Sequence, residues 1–199
     1  MLHEKDLATL ITKLEVPMVV GAAIEHGAEL QDDVHYALHD LLSEMQPDTA
    51  LIAIALSAKA IAAAYCGTGS GSEIVIMECD RMISEYGMLW LENSRRGHID
   101  NSYLISILEN VPEDLECLAE LIDINLCYAA FDNPAIAEIC EIMQIQAGAH
   151  AIIAEEFLSV MEMAAAQKKK NQTDVPANMA AANASETLKF ADNIVQFPG

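Results

Sequence analysis

The stretch Pro47–Cys66, PDTALIAIALSAKAIAAAYC, is the most apolar in the chain, and its reading decides the fold. Ala, Leu and Ile favour a helix, Asp48 or Thr49 offers an N-cap oxygen, and Gly67, Gly69 and Gly71 end it in a mobile connection. A helix apolar on nearly all sides has to be covered on all sides, so this one is expected at the centre of a helical domain. A membrane span is the competing explanation. Its five Leu and Ile residues contribute about −0.5 kcal/mol each to insertion, whereas Lys59 in the middle costs about +3, so the sum is close to zero. No run of Lys or Arg flanks either end to orient a span, and a buried core helix is the better reading.

Helical signals continue on both sides. Glu4 to Glu15 carries Leu7, Leu10, Ile11 and Leu14 at helical spacing and is expected to stop near Pro17. A helix over Met18 to Leu30 follows, and then one ending near Met45 with Val34, Leu38, Leu41 and Met45 in a stripe. After GTGSGS the pattern predicts a helix from about Ser72 to Arg95. GTGSGS is read as a flexible hairpin connection, because no strand precedes it and no Lys follows it, as a phosphate-cradling loop would need.

Further on, Asp100 or Asn101 is read as the cap of a helix through Leu104 to Val111. Pro112 opens another, with Glu113 and Asp114 in the first turn where acids suit the helix dipole, and it is expected to run to about Ala130. Pro134 opens the last long helix, through Ile139, Ile142, Ile145, Ile152, Ile153, Leu158 and Met161 to Ala166, with Gly148 as a kink or close-packing point. The expectation is an all-α domain of seven or eight helices over residues 1–166, then a linker and short docking segment over 167–199 that ends in Phe197 and Pro198. A weak internal echo, Tyr65-Cys66 against Cys127-Tyr128 and Cys79-x-x-Met82 against Cys140-x-x-Met143, is compatible with two packed hairpins.

Charge is the most informative feature of the composition. Of 199 residues 31 are Asp or Glu and 10 are Lys or Arg, a formal net charge of −21. From Gly97 to Gln167 there is no Lys or Arg at all, while Glu109, Glu113, Asp114, Glu116, Glu120, Asp123, Glu138, Glu141 and other acids fill that span. Such a field repels nucleic acid and anionic membranes and attracts cations or a basic protein. Solubility of an apolar domain is the plainer use of the same charge. The first residues do not read as a secretory signal, and a cytoplasmic location with five free, reduced, mostly core cysteines is expected.

Two constellations carry metal chemistry in principle. His35 and His39 are one turn apart on a helix, Asp32 precedes them and Asp40 follows, a donor set that suits Zn²⁺, Mn²⁺ or Fe²⁺. The His39-Asp40 pair in YALHDLLSE resembles the dyad of the HD-type metal-dependent phosphohydrolases, which are all-helical. That resemblance would enlist His3 or His26 as the earlier His and Asp123 as the later Asp. Glu116, Glu120 and Asp123 form an acidic stripe that Glu138 and Glu141 of facing helices could join, and Glu120-x-x-Asp123 is similar to half of the paired motif of helical nucleotide pyrophosphohydrolases. The companion half is missing, and the bases that phosphates need are nearly absent.

Other candidates are structural or interfacial. Cys79 and Cys117 would need a hidden partner to act as nucleophiles. Lys59 is expected to carry its ammonium out to a surface carboxylate. Tyr86 and Trp90, with Arg95 and Arg96, make a candidate contact patch. The leading expectation is a non-enzymatic interaction protein, such as an inhibitor, immunity protein, adaptor or assembly factor. It would bind a basic protein through Glu113, Glu116, Glu120 and Asp123, with Trp90 and Phe197 as apolar contacts. A metal-dependent phosphohydrolase using His35, His39 and Asp40, and a component that self-assembles through its Phe197-containing tail, are the alternatives.

Overall fold

A computed structural model describes residues 3–26, 31–66, 70–96, 109–127 and 133–173. Among the described residues there are seven α-helices and no strand, the all-helical array that the sequence predicts. In chain order they are α1 (Glu4–Leu14), α2 (Val16–His26), α3 (Gln31–Ser43), α4 (Pro47–Tyr65), α5 (Ser70–Arg96), α6 (Val111–Leu121) and α7 (Pro134–Thr173). A π-helical segment, Ile122–Cys127, continues α6. The expected helix through Leu104 and the tail around Phe197 lie outside the described residues.

Helix α4 is the centre. Ala50 to Ala55, Ala58, Ile61 and Ala62 are all 0% exposed, and the helix packs against α1, α2, α5, α6 and the π segment. Its start corrects the expected cap: Gln46 occupies the N-cap in an extended conformation without a side-chain bond, and Pro47 stands in the first turn, where its missing N–H costs nothing. Buried Ser57 satisfies its hydroxyl by donating to Ala53 O at 2.8 Å. Lys59 reaches Asp80 of α5 with Nζ at 2.5 Å, so its charge is carried outward as expected. By length and composition α4 is the one single helix among the described residues that could cross a membrane, but most of its apolar stretch is covered by protein.

Between α1 and α2 the chain turns through 89° at Glu15, whose φ of 58° is unusual for a side chain with a Cβ. Pro17 therefore begins a helix rather than merely ending one. At the start of α5, Ser70 and Gly71 are already helical, so the GTGSGS stretch is partly helix. A Cβ on Gly71 would stand 2.7 Å from Asn125 Oδ1, so a side chain there would have to displace the Asn125 amide, which glycine leaves in place where α5 meets the π segment. Gly148 is the opposite case: nothing lies within 4 Å of a Cβ there, which removes the close-packing role assigned to it.

Helix α7 enters the core through Ile136, Ile139, Cys140, Met143, Ala147, Ala151 and Ala154, a stripe at helical spacing. Not all of its isoleucines are inside. Ile145 and Ile152 are about three-fifths exposed, and Ile153 and Phe157 are also exposed. The chain divides into two units, residues 1–158 and 159–199. Within the second, the helix continues through the expected linker start to Thr173, and Val160 and Met163 are exposed.

Candidate functional site

The acidic residues of α6 separate into one that is buried and several that are not. Asp114 is 8% exposed. Its Oδ1 accepts from Arg81 Nη2 at 2.6 Å, and its Oδ2 accepts from Tyr86 Oη at 2.5 Å and Arg81 Nη1 at 3.4 Å. Arg81 also donates to Glu78 and Glu85 on its own helix. These bonds push the Arg81 guanidinium further up its range, while burial and then the Asp114 bond push the Tyr86 phenol up. Asp114 is thereby a fastener between α5 and α6, and its charge is answered inside the protein.

Glu113, Glu116, Glu120 and Asp123 follow one another at spacings of three, four and three, and all four are exposed. Among the described residues, none of the ion pairs involves any of them. Gly71 beside Asn125 and Arg81 beside Asp114 show that α5 runs antiparallel to α6 and its π continuation. Ile74 and Met77 of α5 therefore lie at levels between those two contacts, and both are exposed, as is Ile124 beside Asp123. The α6 face and its π continuation thus carry a row of exposed carboxylates, with exposed Ile124 adjoining Asp123. Sequence periodicity located the acids; it had no means of finding Ile124, because the π segment sets which way that side chain points.

The histidines are placed differently. His35 Nδ1 lies 2.6 Å from Glu138 Oε1, which joins α3 to α7, while His39 lies 3.7 Å from neighbouring Asp40 and both are exposed. Asp123 stands on the exposed face of the π segment, and His3 and His26 are exposed at the ends of α1 and α2. Among the described residues no three His, Cys, Asp or Glu side chains gather as ligands for one ion. Glu138 is thus engaged with His35, and Glu141 is exposed.

His150, which periodicity alone does not distinguish, is 2% exposed in α7. Its Nε2 donates to Leu42 O at 2.8 Å, fixing the tautomer, because a carbonyl can only accept. Among the described residues its Nδ1 has no hydrogen-bond partner.

Of the aromatic patch, Tyr86 is buried, Trp90 is half-buried and Arg95 is exposed. Tyr86 is 2% exposed, Trp90 Nε1 donates to Thr49 Oγ1 at 3.1 Å with Lys13 over its ring, and Arg95 pairs with Asp6 at 2.8 Å. Cys79 and Cys117 do not carry activated thiols: desolvation pushes Cys79 up to about 12 and raises Cys117. No protein-family model, curated protein or solved structure matches this chain.

Proposed function

We propose that this chain is a non-enzymatic interaction protein whose α6 face binds a basic protein partner. The support is a contrast within one helix: Asp114 is buried and paired, whereas Glu113, Glu116, Glu120 and Asp123 stand exposed in a row with no cation among the described ion pairs. Like charges at helical spacing repel by a few tenths of a kcal/mol per pair, and a basic surface laid against them would turn that repulsion into attraction. Ile74, Met77 and Ile124 supply apolar contact area, which holds a complex that charge only steers together.

The test compares proteins captured by the wild type with those captured by a Glu116→Lys, Glu120→Lys, Asp123→Lys variant, at low and high salt. Basic proteins lost on charge reversal and on raising the salt support the reading. Identical capture by both proteins refutes it.

Self-association is favoured by a separate observation, the exposed Ile145, Ile152, Ile153 and Phe157 on α7. Light scattering on the wild type and on an Ile152→Glu, Phe157→Glu variant tests it; a monomer at every concentration in both would exclude it.

A further inference from the structure

Between Glu141 and Phe157 helix α7 has two unlike sides. Met143, Ala147, Ala151 and Ala154 recur at helical spacing in the core. On the side turned to solvent Ile145, Ala149, Ile152, Ile153 and Phe157 are all exposed, the four large ones by between 39% and 61%. Single apolar side chains are ordinary on a surface, but these share one side of a helix over about 18 Å, just over three turns. Beside Ile145 and Ile152 the surface dips, because Ala149 is small and nothing lies within 4 Å of a Cβ placed on Gly148. The same side is acidic: Glu141, Glu155 and Glu156 are exposed, and none of the ion pairs among the described residues involves them. At about 100° per residue Glu156 falls between Ile152 and Ile153 around the axis, and Glu141 and Glu155 fall beside Ile152 on the edge away from Phe157. A second copy of the chain matches the apolar area, but it brings the same three carboxylates again, and residues 97–167 hold no Lys or Arg to answer them. A helix with bases beside its apolar side answers both the isoleucines and the acids.

We propose that this face of α7 is the docking site for an amphipathic helix of a partner protein, apolar on one side and carrying Lys or Arg along its edges. The proposal rests on the reading of the chain as a binder of basic proteins, and it adds a second surface together with the form of what that surface holds. A helix crossing α7 at a shallow angle of about 20° stays in contact along all three turns, whereas a steep crossing touches only one. Its apolar side covers Ile145, Ile152, Ile153 and Phe157, and one of its large side chains enters the dip at Ala149. Its bases meet Glu141 and Glu155 at one edge and Glu156 within the face. The apolar anchors slow dissociation, and the carboxylates speed the encounter and select a basic helix over an acidic one.

The test titrates the full-length protein against a fluorescent synthetic helix of leucine and lysine, about fourteen residues long with leucines at i, i+3, i+4 and i+7, and follows anisotropy near physiological salt. The expected result is a saturable complex, and no complex with the same peptide carrying Glu in place of Lys. Ile152→Ser with Phe157→Ser should weaken it about tenfold or more, and so should Ala149→Arg, which fills the dip and adds a charge like the peptide's own. All three positions are exposed, and circular dichroism checks that the variants are folded. Undiminished affinity in both α7 variants overturns the proposal. If those variants keep the peptide while Glu116→Lys, Glu120→Lys, Asp123→Lys loses it, the α6 reading stands and the α7 site falls. Loss in the α7 variants alone supports the α7 site independently of α6. A wild-type dimer by light scattering that Ile152→Ser with Phe157→Ser separates, with no peptide bound, assigns the face to a second copy and also overturns the proposal.

Discussion

The Asp114 fastener gives the most quantitative prediction. In Asp114→Ala the Tyr86 hydroxyl, 2% exposed with its residue, loses its only hydrogen-bond acceptor among the described residues, at a cost of about 2 kcal/mol for an unpaired buried donor. Arg81 loses two bonds, yet its side chain is 44% exposed and keeps Glu78 and Glu85, so this part is discounted to about 1 kcal/mol. The total is about 3 kcal/mol. Tyr86→Phe removes the donor without leaving a buried acceptor empty, because Arg81 still occupies Asp114, and should cost about 1 kcal/mol. The double variant no longer carries an orphaned hydroxyl and should cost about 2 kcal/mol, less than the sum of the single changes, an interaction of about 2 kcal/mol. Urea unfolding followed by circular dichroism measures all three. Additive single effects, or an Asp114→Ala loss below about 1 kcal/mol, would mean that the network is not the joint between α5 and α6 described above.

Two further predictions concern the glycines and Asp48. Gly148→Ala fills open space in a helix interior and should stabilise by about 1 kcal/mol, raising Tm by roughly 3 °C, while Gly71→Ala should give no rise because its Cβ meets Asn125 Oδ1. Calorimetry separates the two, and an equal gain in both would contradict the close approach of α5 to the π segment. Burial raises the Asp48 carboxyl above its ordinary value of 3.8, so the folded form holds its proton to higher pH than the unfolded form. That contribution to stability is complete below the unfolded pKa and is lost as pH rises through the folded one. Asp48→Asn should remove this part of the pH slope across the acidic range, and an unchanged slope would count against the assignment.

Much of the fold was legible because it is local. Pro112 and Pro134 stand in the first turns of α6 and α7, since a residue without an N–H is harmless only there, and α4 was recognisable because a helix apolar all round has one place to go. The exposed row Glu113, Glu116, Glu120 and Asp123 was legible for the same reason, a 3.6-residue period read along one element.

What the sequence determined by itself, then, was the helical class, the central helix and the acidic character of residues 97–167, all of which follow from short-range propensity and composition. Tertiary structure alone decided which members of each pattern do which work. Glu113 and Asp114 are neighbours of like charge, yet only Asp114 meets Arg81 and Tyr86, from a helix some thirty residues away. Ile142 and Ile145 are equally apolar, but only Ile142 is buried, because α7 presents one side to the core. His35 pairs with Glu138 across 103 residues. The physical reason is the same in each case: burial and pairing are properties of two packed surfaces, and a period read along one helix carries no information about the other.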